Sequence, residues 1–166
     1  MEIELDATAG DRVIHAGKDT SQIIFLDVLS SVKPDIIGDA KKLPFRSGVF
    51  SKIYCDPPHL IRNDKKYWSK WYIRFGNFKN RREWIIFLAN IDIEFKRVLR
   101  EDGLLWFKIT DGRDRRVTKL ADLQIMRNFE EVCREKQQKR AGWSTNTPWH
   151  ILYKIRSSES KVNKNG

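Results

Sequence analysis

Ile53-Tyr54-Cys55-Asp56-Pro57-Pro58-His59 is the stretch on which the reading of this chain turns. Apolar and β-prone residues lead up to a lone carboxylate, two prolines follow at once, and an imidazole closes the run. The pattern predicts a strand that ends in a stiff loop. Proline fixes φ at about −65°, lacks an N–H and pushes the residue before it out of the helical region, so Asp56 and Pro57 are both expected to be extended. A loop so constrained loses little entropy when it binds a ligand. Its carbonyls and the Asp56 carboxylate then form a set of fixed acceptors. Such a set suits an amino group, because two acceptors take both amine protons and leave the nitrogen lone pair facing away. An ordinary strand-ending turn reads the same way, since Asp-Pro is common in turns; the flanking sequence has to weigh the two.

Upstream, shorter runs have the same form. Ile3-Glu4-Leu5-Asp6 alternates and passes into Ala7-Thr8-Ala9-Gly10-Asp11-Arg12, then into the helix-compatible Val13-Ile14-His15-Ala16. Small residues in that turn let a ligand approach the backbone, with amides at the helix start available to it; a plain strand-to-helix turn is the other reading. Only Gly10 fills a glycine position of a G-x-G-x-G pattern, and Thr8 and Arg12 stand at the other two. Gln22 to Val28 predicts a second strand, apolar on both faces from Ile23 to Leu26 as in a central parallel strand. Residues 34–40 predict a brief third. Four strand-like runs thus carry four acids near their C-terminal ends, Asp6, Asp27, Asp39 and Asp56. In an open α/β sheet those ends line the ligand crevice. Four acids there argue for a site that holds hydroxyls and amines.

Downstream, Leu60 to Arg82 interleaves cations with aromatic rings: Arg62, Lys65, Lys66, Lys70, Arg74, Lys79, Arg81 and Arg82 among Tyr67, Trp68, Trp71, Tyr72, Phe75 and Phe78. Cations neutralise phosphates and aromatic faces stack on bases, the combination that holds extruded or single-stranded bases. A lid or amphipathic helix over a small-molecule site has the same composition. Glu83 to Arg100 predicts a helix, with Trp84, Phe87, Leu88, Ile91, Phe95, Val98 and Leu99 at core spacing. Leu104 to Ile109 reads as a fifth strand, Val117 to Met126 as a second covering helix, and Phe129 to Cys133 with Trp149 to Ile155 as an antiparallel pair at the sheet edge. The expected fold is therefore α/β, a mostly parallel sheet with an antiparallel edge hairpin in a single domain.

The whole chain sets bounds on these readings. Its 166 residues suit one domain with a real core. Lys and Arg outnumber Asp and Glu by 32 to 22, and the excess of +10 makes a polyanion, nucleic acid first, a plausible partner. Cys55 and Cys133 have no metal-ligand spacing, so no metal site is expected, and both thiols are expected reduced and at least partly buried. Apolar runs are too short to cross a bilayer, and an acidic start is no signal peptide, which makes a soluble cytoplasmic protein without a membrane partner the expectation. The polar tail, 157–166, is expected to be disordered and basic, outside a domain of residues 1–156.

Strand then Leu5-Asp6-Ala7-Thr8-Ala9-Gly10, strand then Asp27, Gly38-Asp39-Ala40-x-x-Leu43-Pro44-Phe45, and Asp56-Pro57-Pro58-His59 together resemble the successive motifs of the class I S-adenosylmethionine-dependent methyltransferases, whose fold is Rossmann-like. Within that class the Asp-Pro-Pro signature is similar to the amino-methyltransferases of nucleic acids, in particular small phage and archaeal proteins bearing Asp-Pro-Pro-His. The resemblance implies that Asp6, Ala7, Thr8, Ala9 and Gly10 wrap the methionine part of the S-adenosylmethionine cofactor, Asp27 binds the ribose hydroxyls, and Asp39 with Ala40 contacts the adenine. It implies that Asp56, Pro57, Pro58 and His59 hold the target amine. Transfer from an already activated sulfonium needs orientation and desolvation rather than a metal. Two departures stand out: His59 occupies a position where the family carries Tyr, Phe or Trp, and Arg12 occupies the third glycine position. No separate target-recognition domain is expected, so specificity is expected to fall to Leu60 to Arg82, with Arg62, Lys65, Lys66, Tyr67, Trp68 and Trp71 as the substrate-binding candidates, to the edge hairpin, or to a protein partner. The function so implied is methylation of an exocyclic amine of a base in DNA or RNA, adenine among them. The alternatives are a methyltransferase of a protein or small molecule, and a non-catalytic nucleic-acid-binding module of the same fold.

Overall fold

The computed structural model describes residues 2–62, 76–111, 116–137 and 147–157. Its strands are β1 (Glu4–Asp6), β2 (Ile23–Asp27), β3 (Ile36–Ile37), β4 (Phe50–Cys55), β5 (Leu99–Asp111), β6 (Phe129–Lys136) and β7 (Thr147–Ile155). They form one seven-stranded sheet in the order β3-β2-β1-β4-β5-β7-β6. Every pairing from β3 to β5 is parallel. β7 runs antiparallel to both β5 and β6. The expected α/β architecture with an antiparallel edge is the one observed.

The helix α1 (Arg81–Val98) joins β4 to β5. Its start is set locally: the Asn80 side chain accepts the Glu83 N–H at 2.9 Å, and the Glu83 carboxylate accepts the Lys79 N–H at 2.6 Å. Lys96 and Arg97 sit in the last turn, where cations favour the helix dipole. Trp84, Phe87, Leu88, Ile91, Phe95 and Val98 face the sheet and join Leu5, Ile53, Cys55, Leu105, Phe107 and Ile109 in one core cluster. The helical periodicity read from the sequence therefore marks the buried face.

Three expectations need correction. Residues 117–126 do not form a regular helix; a short 3-10 helix covers Leu120–Ile125. Val117 and Thr118 pair instead with the loop beyond the prolines, Ile61 N–H donating to Arg116 O at 2.8 Å and Thr118 N–H to His59 O at 3.1 Å. Asp122 then accepts the Lys119 N–H at 3.1 Å and the Trp84 Nε1–H at 3.0 Å and pairs with Arg81, which pins the segment to α1. The helix α1 ends at Val98 and β5 begins at Leu99, so the fifth strand starts well before Leu104. Between Leu99, opposite Phe50, and Leu104, opposite Lys52, the register shifts, and Glu101-Asp102-Gly103 bulges outward. A Cβ at Gly103 would meet Leu99 Cδ2 at 2.8 Å and Arg100 O at 3.0 Å, so a larger residue there would force the bulge to shift. Finally, Cys55 is buried as expected but Cys133 is exposed, because it lies on the edge strand β6.

Candidate functional site

The site is built where the parallel strands end. The turn after β1 is stitched to its neighbours on both sides: Ala7 N–H donates to Tyr54 O at 3.0 Å and Ala9 N–H to Leu26 O at 3.0 Å. Gly10 and Arg12 both take left-handed backbone conformations, with φ of 46° and 59°. The third glycine position is thus conformationally glycine-like although an arginine fills it, at a backbone cost of about 1–2 kcal/mol. Arg12 offsets that cost through its side chain, which lies 4.0 Å over the Phe25 ring and donates to Lys33 O at 2.9 Å.

Asp6 is fully buried beneath this turn. One carboxylate oxygen accepts the Thr8 N–H at 3.1 Å and the other lies 2.9 Å from His15 Nε2. Burial pushes its carboxyl above the ordinary value, while His15 and the Thr8 amide pull the other way. Asp6 braces the turn from inside. Asp27 faces the cavity and organises its rim, its two oxygens accepting Gly10 N–H and Leu29 N–H, each at 2.9 Å. Asp39 accepts the Lys41 N–H at 2.9 Å and pairs with the Lys41 ammonium at 3.3 Å.

A cavity of about 290 Å³ opens among these ends. Ala7, Thr8, Gly10, Asp27, Asp39, Ala40, Asp56 and Pro58 line it, so most of the residues singled out from the sequence converge on one space. Asp6, Ala9, Pro57 and His59 do not line it, and Pro57 is buried. Val28, Leu29 and Phe87 add apolar wall that the sequence reading had given no ligand role, and Phe78, from the aromatic stretch after the prolines, joins them. Gly76, with φ of 69°, packs so close to Pro58 that a Cβ there would meet its Cγ at 3.1 Å. A larger hollow of about 700 Å³ lies between the 3-10 helix and the edge hairpin, and none of the sequence-derived site residues lines it.

The Asp56 loop is held from three directions. Its backbone N–H donates to Thr8 Oγ1 at 2.7 Å, tying it to the turn after β1. Lys108 Nζ on β5 donates to Asp56 Oδ2 at 2.6 Å, and His59 Nε2 lies 3.0 Å from Asp56 Oδ1. Burial alone would raise the Asp56 carboxyl; the His59 hydrogen bond and charge, together with Lys108, outweigh it and hold the group below its ordinary value. Asp56 is consequently an ionised acceptor. Beyond it, Leu60 bridges Val117 and Ile61 bridges Phe78, so the loop is sheet-paired on both flanks. The neighbouring Cys55 thiol is pushed up by burial and by Asp6 and Asp56, and stays protonated.

Lys108, the partner of Asp56, is the site residue that motif reading missed. Its signal was available: a single cation inside the otherwise apolar Leu104-Leu105-Trp106-Phe107-Lys108-Ile109. Of the substrate-binding candidates, Arg62 lies beside the site, its N–H donating to Phe78 O at 2.7 Å. Lys65, Lys66, Tyr67, Trp68 and Trp71 lie outside the described residues. Among the described residues no cluster of His, Cys, Asp or Glu could hold a metal ion, and no helix is long and apolar enough to cross a membrane.

No protein-family model matches the sequence, nor does any curated protein sequence. Solved structures match in shape. Geranyl diphosphate C-methyltransferase from Streptomyces coelicolor A3(2), solved with Mg2+, geranyl diphosphate and S-adenosyl-L-homocysteine, superposes with a TM-score of 0.60 at 7% identity, over 94% of this chain and 72% of that one. A TehB-like SAM-dependent methyltransferase from Corynebacterium glutamicum gives 0.51 at 15% identity, over 93% and 80%. The cyclase SpnF gives 0.63 at 13% identity, over 93% and 75%, so the same shape extends to a protein named for another reaction. The described strands, their order and the cavity at their ends give this chain the fold of the class I S-adenosylmethionine-dependent methyltransferases.

Proposed function

We propose that this protein is an S-adenosylmethionine-dependent methyltransferase that methylates an exocyclic amine of a nucleic-acid base. The observation that carries the reading is the single cavity into which the small-residue turn, Asp27, Asp39 and the Asp56 loop all open. The residues fit the cofactor. The Asp27 carboxylate is already oriented by two backbone donors and keeps lone pairs for a vicinal diol. Ala7 and Ala40 are too small to block the floor, and Leu29, Phe78 and Phe87 give apolar surface for an aromatic base. When bound, the cofactor supplies a methyl group on a positively charged sulfur.

The chain's own residues supply orientation. Asp56, kept ionised by Lys108 and His59, accepts one amine proton, and the loop carbonyls accept the other, which leaves the nitrogen lone pair free to attack. Taking up that methyl group would leave the nitrogen with one proton to release, and Asp56 and the loop carbonyls would keep it oriented while it does so. Among the described residues His59 Nδ1 is buried without a hydrogen-bond partner, while Nε2 of the same ring holds Asp56. The charge of +10 and the cationic, aromatic composition of residues 60–82 support a nucleic acid as the substrate.

The test is transfer of a labelled methyl group to mixed DNA and RNA, followed by identification of the labelled nucleoside. Label on a base amine that disappears in Asp56→Ala supports the reading; undiminished labelling in that variant removes Asp56 from its role. A second reading, methylation of a small molecule, is favoured by the geranyl diphosphate enzyme among the similar structures. Labelled product that nucleases leave intact selects it.

A further inference from the structure

The sheet has two faces, and the right-handed rule for parallel crossovers distributes the connections between them. β4 to β5 crosses in one direction through α1, and the β3 to β4 connection joins it on that side, with Leu43 N–H donating to Glu94 at 2.7 Å and Arg97 to Phe45 O at 2.7 Å. The β1 to β2 and β2 to β3 connections run the other way and cross the opposite face. They contain only the 3-10 turns Val13–His15 and Ser30–Val32, and His15 reaches just as far as Phe25 and Tyr54. Among the described residues, no helix covers this second face over β4, β5 and β7.

Register shows what that half-face carries. Lys52, Leu104 and Lys154 stand side by side across β4, β5 and β7; Tyr54, Trp106 and Leu152 form the next row; Lys108 and His150 form the third. Each of these strands therefore contributes one lysine and one ring. The rings touch: Tyr54 and Trp106 centroids are 5.9 Å apart, Trp106 and His150 4.8 Å, and Lys52 Nζ lies 4.8 Å over the Tyr54 ring. All but the exposed Lys154 are partly exposed, and the third row runs straight into the site through the Lys108–Asp56 pair. Lys154 is itself paired with Glu130 at 3.0 Å.

We infer that this half-face, partly exposed and without helical cover among the described residues, is a stacking platform for single-stranded nucleic acid, which leads the strand across β7, β5 and β4 to the Asp56 loop. A docked apolar helix is disfavoured, because it would bury a lysine on every strand it crossed. A polyanion with flat, sequence-tolerant rings matches both the lysines and the contiguous aromatic surface. The inference deepens the nucleic-acid reading of the same site and rests on it for the polymer's identity.

The experiment is fluorescence anisotropy of the full chain with labelled single-stranded dT and U oligonucleotides and with a duplex, without cofactor and at several salt concentrations. The single strands bind more tightly than the duplex. Trp106→Ala weakens them at least about fivefold, Trp106→Phe restores binding, and Lys52→Ala lowers affinity and reduces the salt slope by about one. Circular dichroism and calorimetry with S-adenosylmethionine check that each variant is folded. Absent single-strand binding, or binding that all these variants leave unchanged, overturns the platform. So does a wild-type dimer that Trp106→Glu dissociates, which would assign the face to a second copy. Base methylation is read separately, so oligonucleotide binding without methyl transfer rejects the catalytic reading alone, and methyl transfer with unaltered variant affinity rejects the platform alone.

Discussion

The two faces of the same sheet were made by the same strands and came out opposite in character. On one face, Leu5, Ile53, Cys55, Leu105, Phe107 and Ile109 meet α1 and are at most barely accessible. On the other, the alternate residues of the same strands, Lys52, Tyr54, Leu104, Trp106 and Lys108, stay partly exposed. Strand periodicity of two made both faces in one stroke, but among the described residues only the face toward α1 has a helix to pack against. Asp56 lies at the seam, with the cavity on one side and Lys108, from the bare face, on the other. Among the described residues half of one sheet face has no helical cover, and a lysine on each of those strands is compatible with its partial exposure to water.

Two tryptophans test the contrast directly. Trp84 is fully buried under α1 and its Nε1–H donates to Asp122, so Trp84→Ala should cost about 3–5 kcal/mol in denaturant unfolding. Trp106→Ala should cost less, about 1–2 kcal/mol, since that ring is only partly buried. Equal costs would mean the second face is covered after all. At the seam, Asp56→Asn should lower methyl transfer about 100-fold or more in a rate assay, and it should also lower the melting temperature, because Lys108 and His59 lose their ionised partner. Gly10→Ala, which forces a Cβ into a φ of 46°, should destabilise by about 1–2 kcal/mol and weaken cofactor binding measured by calorimetry.

The pH dependence sharpens the role of the bare face in the chemistry. Asp56 is held below its ordinary 3.8, so its contribution to stability is fully present above that value and is lost as the pH falls through the lower folded value. In Lys108→Met, burial is opposed by His59 alone, the carboxyl moves up, and the acid limb of the rate profile should shift to higher pH. An unshifted acid limb would detach Lys108 from Asp56. The smallest effect expected is that of Lys52→Ala on stability, under about 0.5 kcal/mol by chemical denaturation.

Much of the site was legible because it is local. Asp27, Asp39 and Asp56 sit at strand ends that short apolar runs mark clearly, and Pro57-Pro58 announces a stiff loop by covalent geometry alone. The failures have long-range causes. Residues 117–118 have helical spacing, yet they are extended because they pair with residues 59–61, more than fifty positions away. Asp6 looked like its fellow acids, yet it is fully buried against His15, a partner that only the tight turn after β1 brings to it.

What the sequence determined by itself is therefore the set of elements and their polarity: apolar strands, acids at their ends, and one strongly periodic helix capped by Asn80. Tertiary structure decided which acids brace the turn and which face the cavity, that Lys108 pairs with Asp56, and that among the described residues no helix covers half of one sheet face. Those outcomes depend on register and crossover hand, which join residues through space and leave no trace in local spacing.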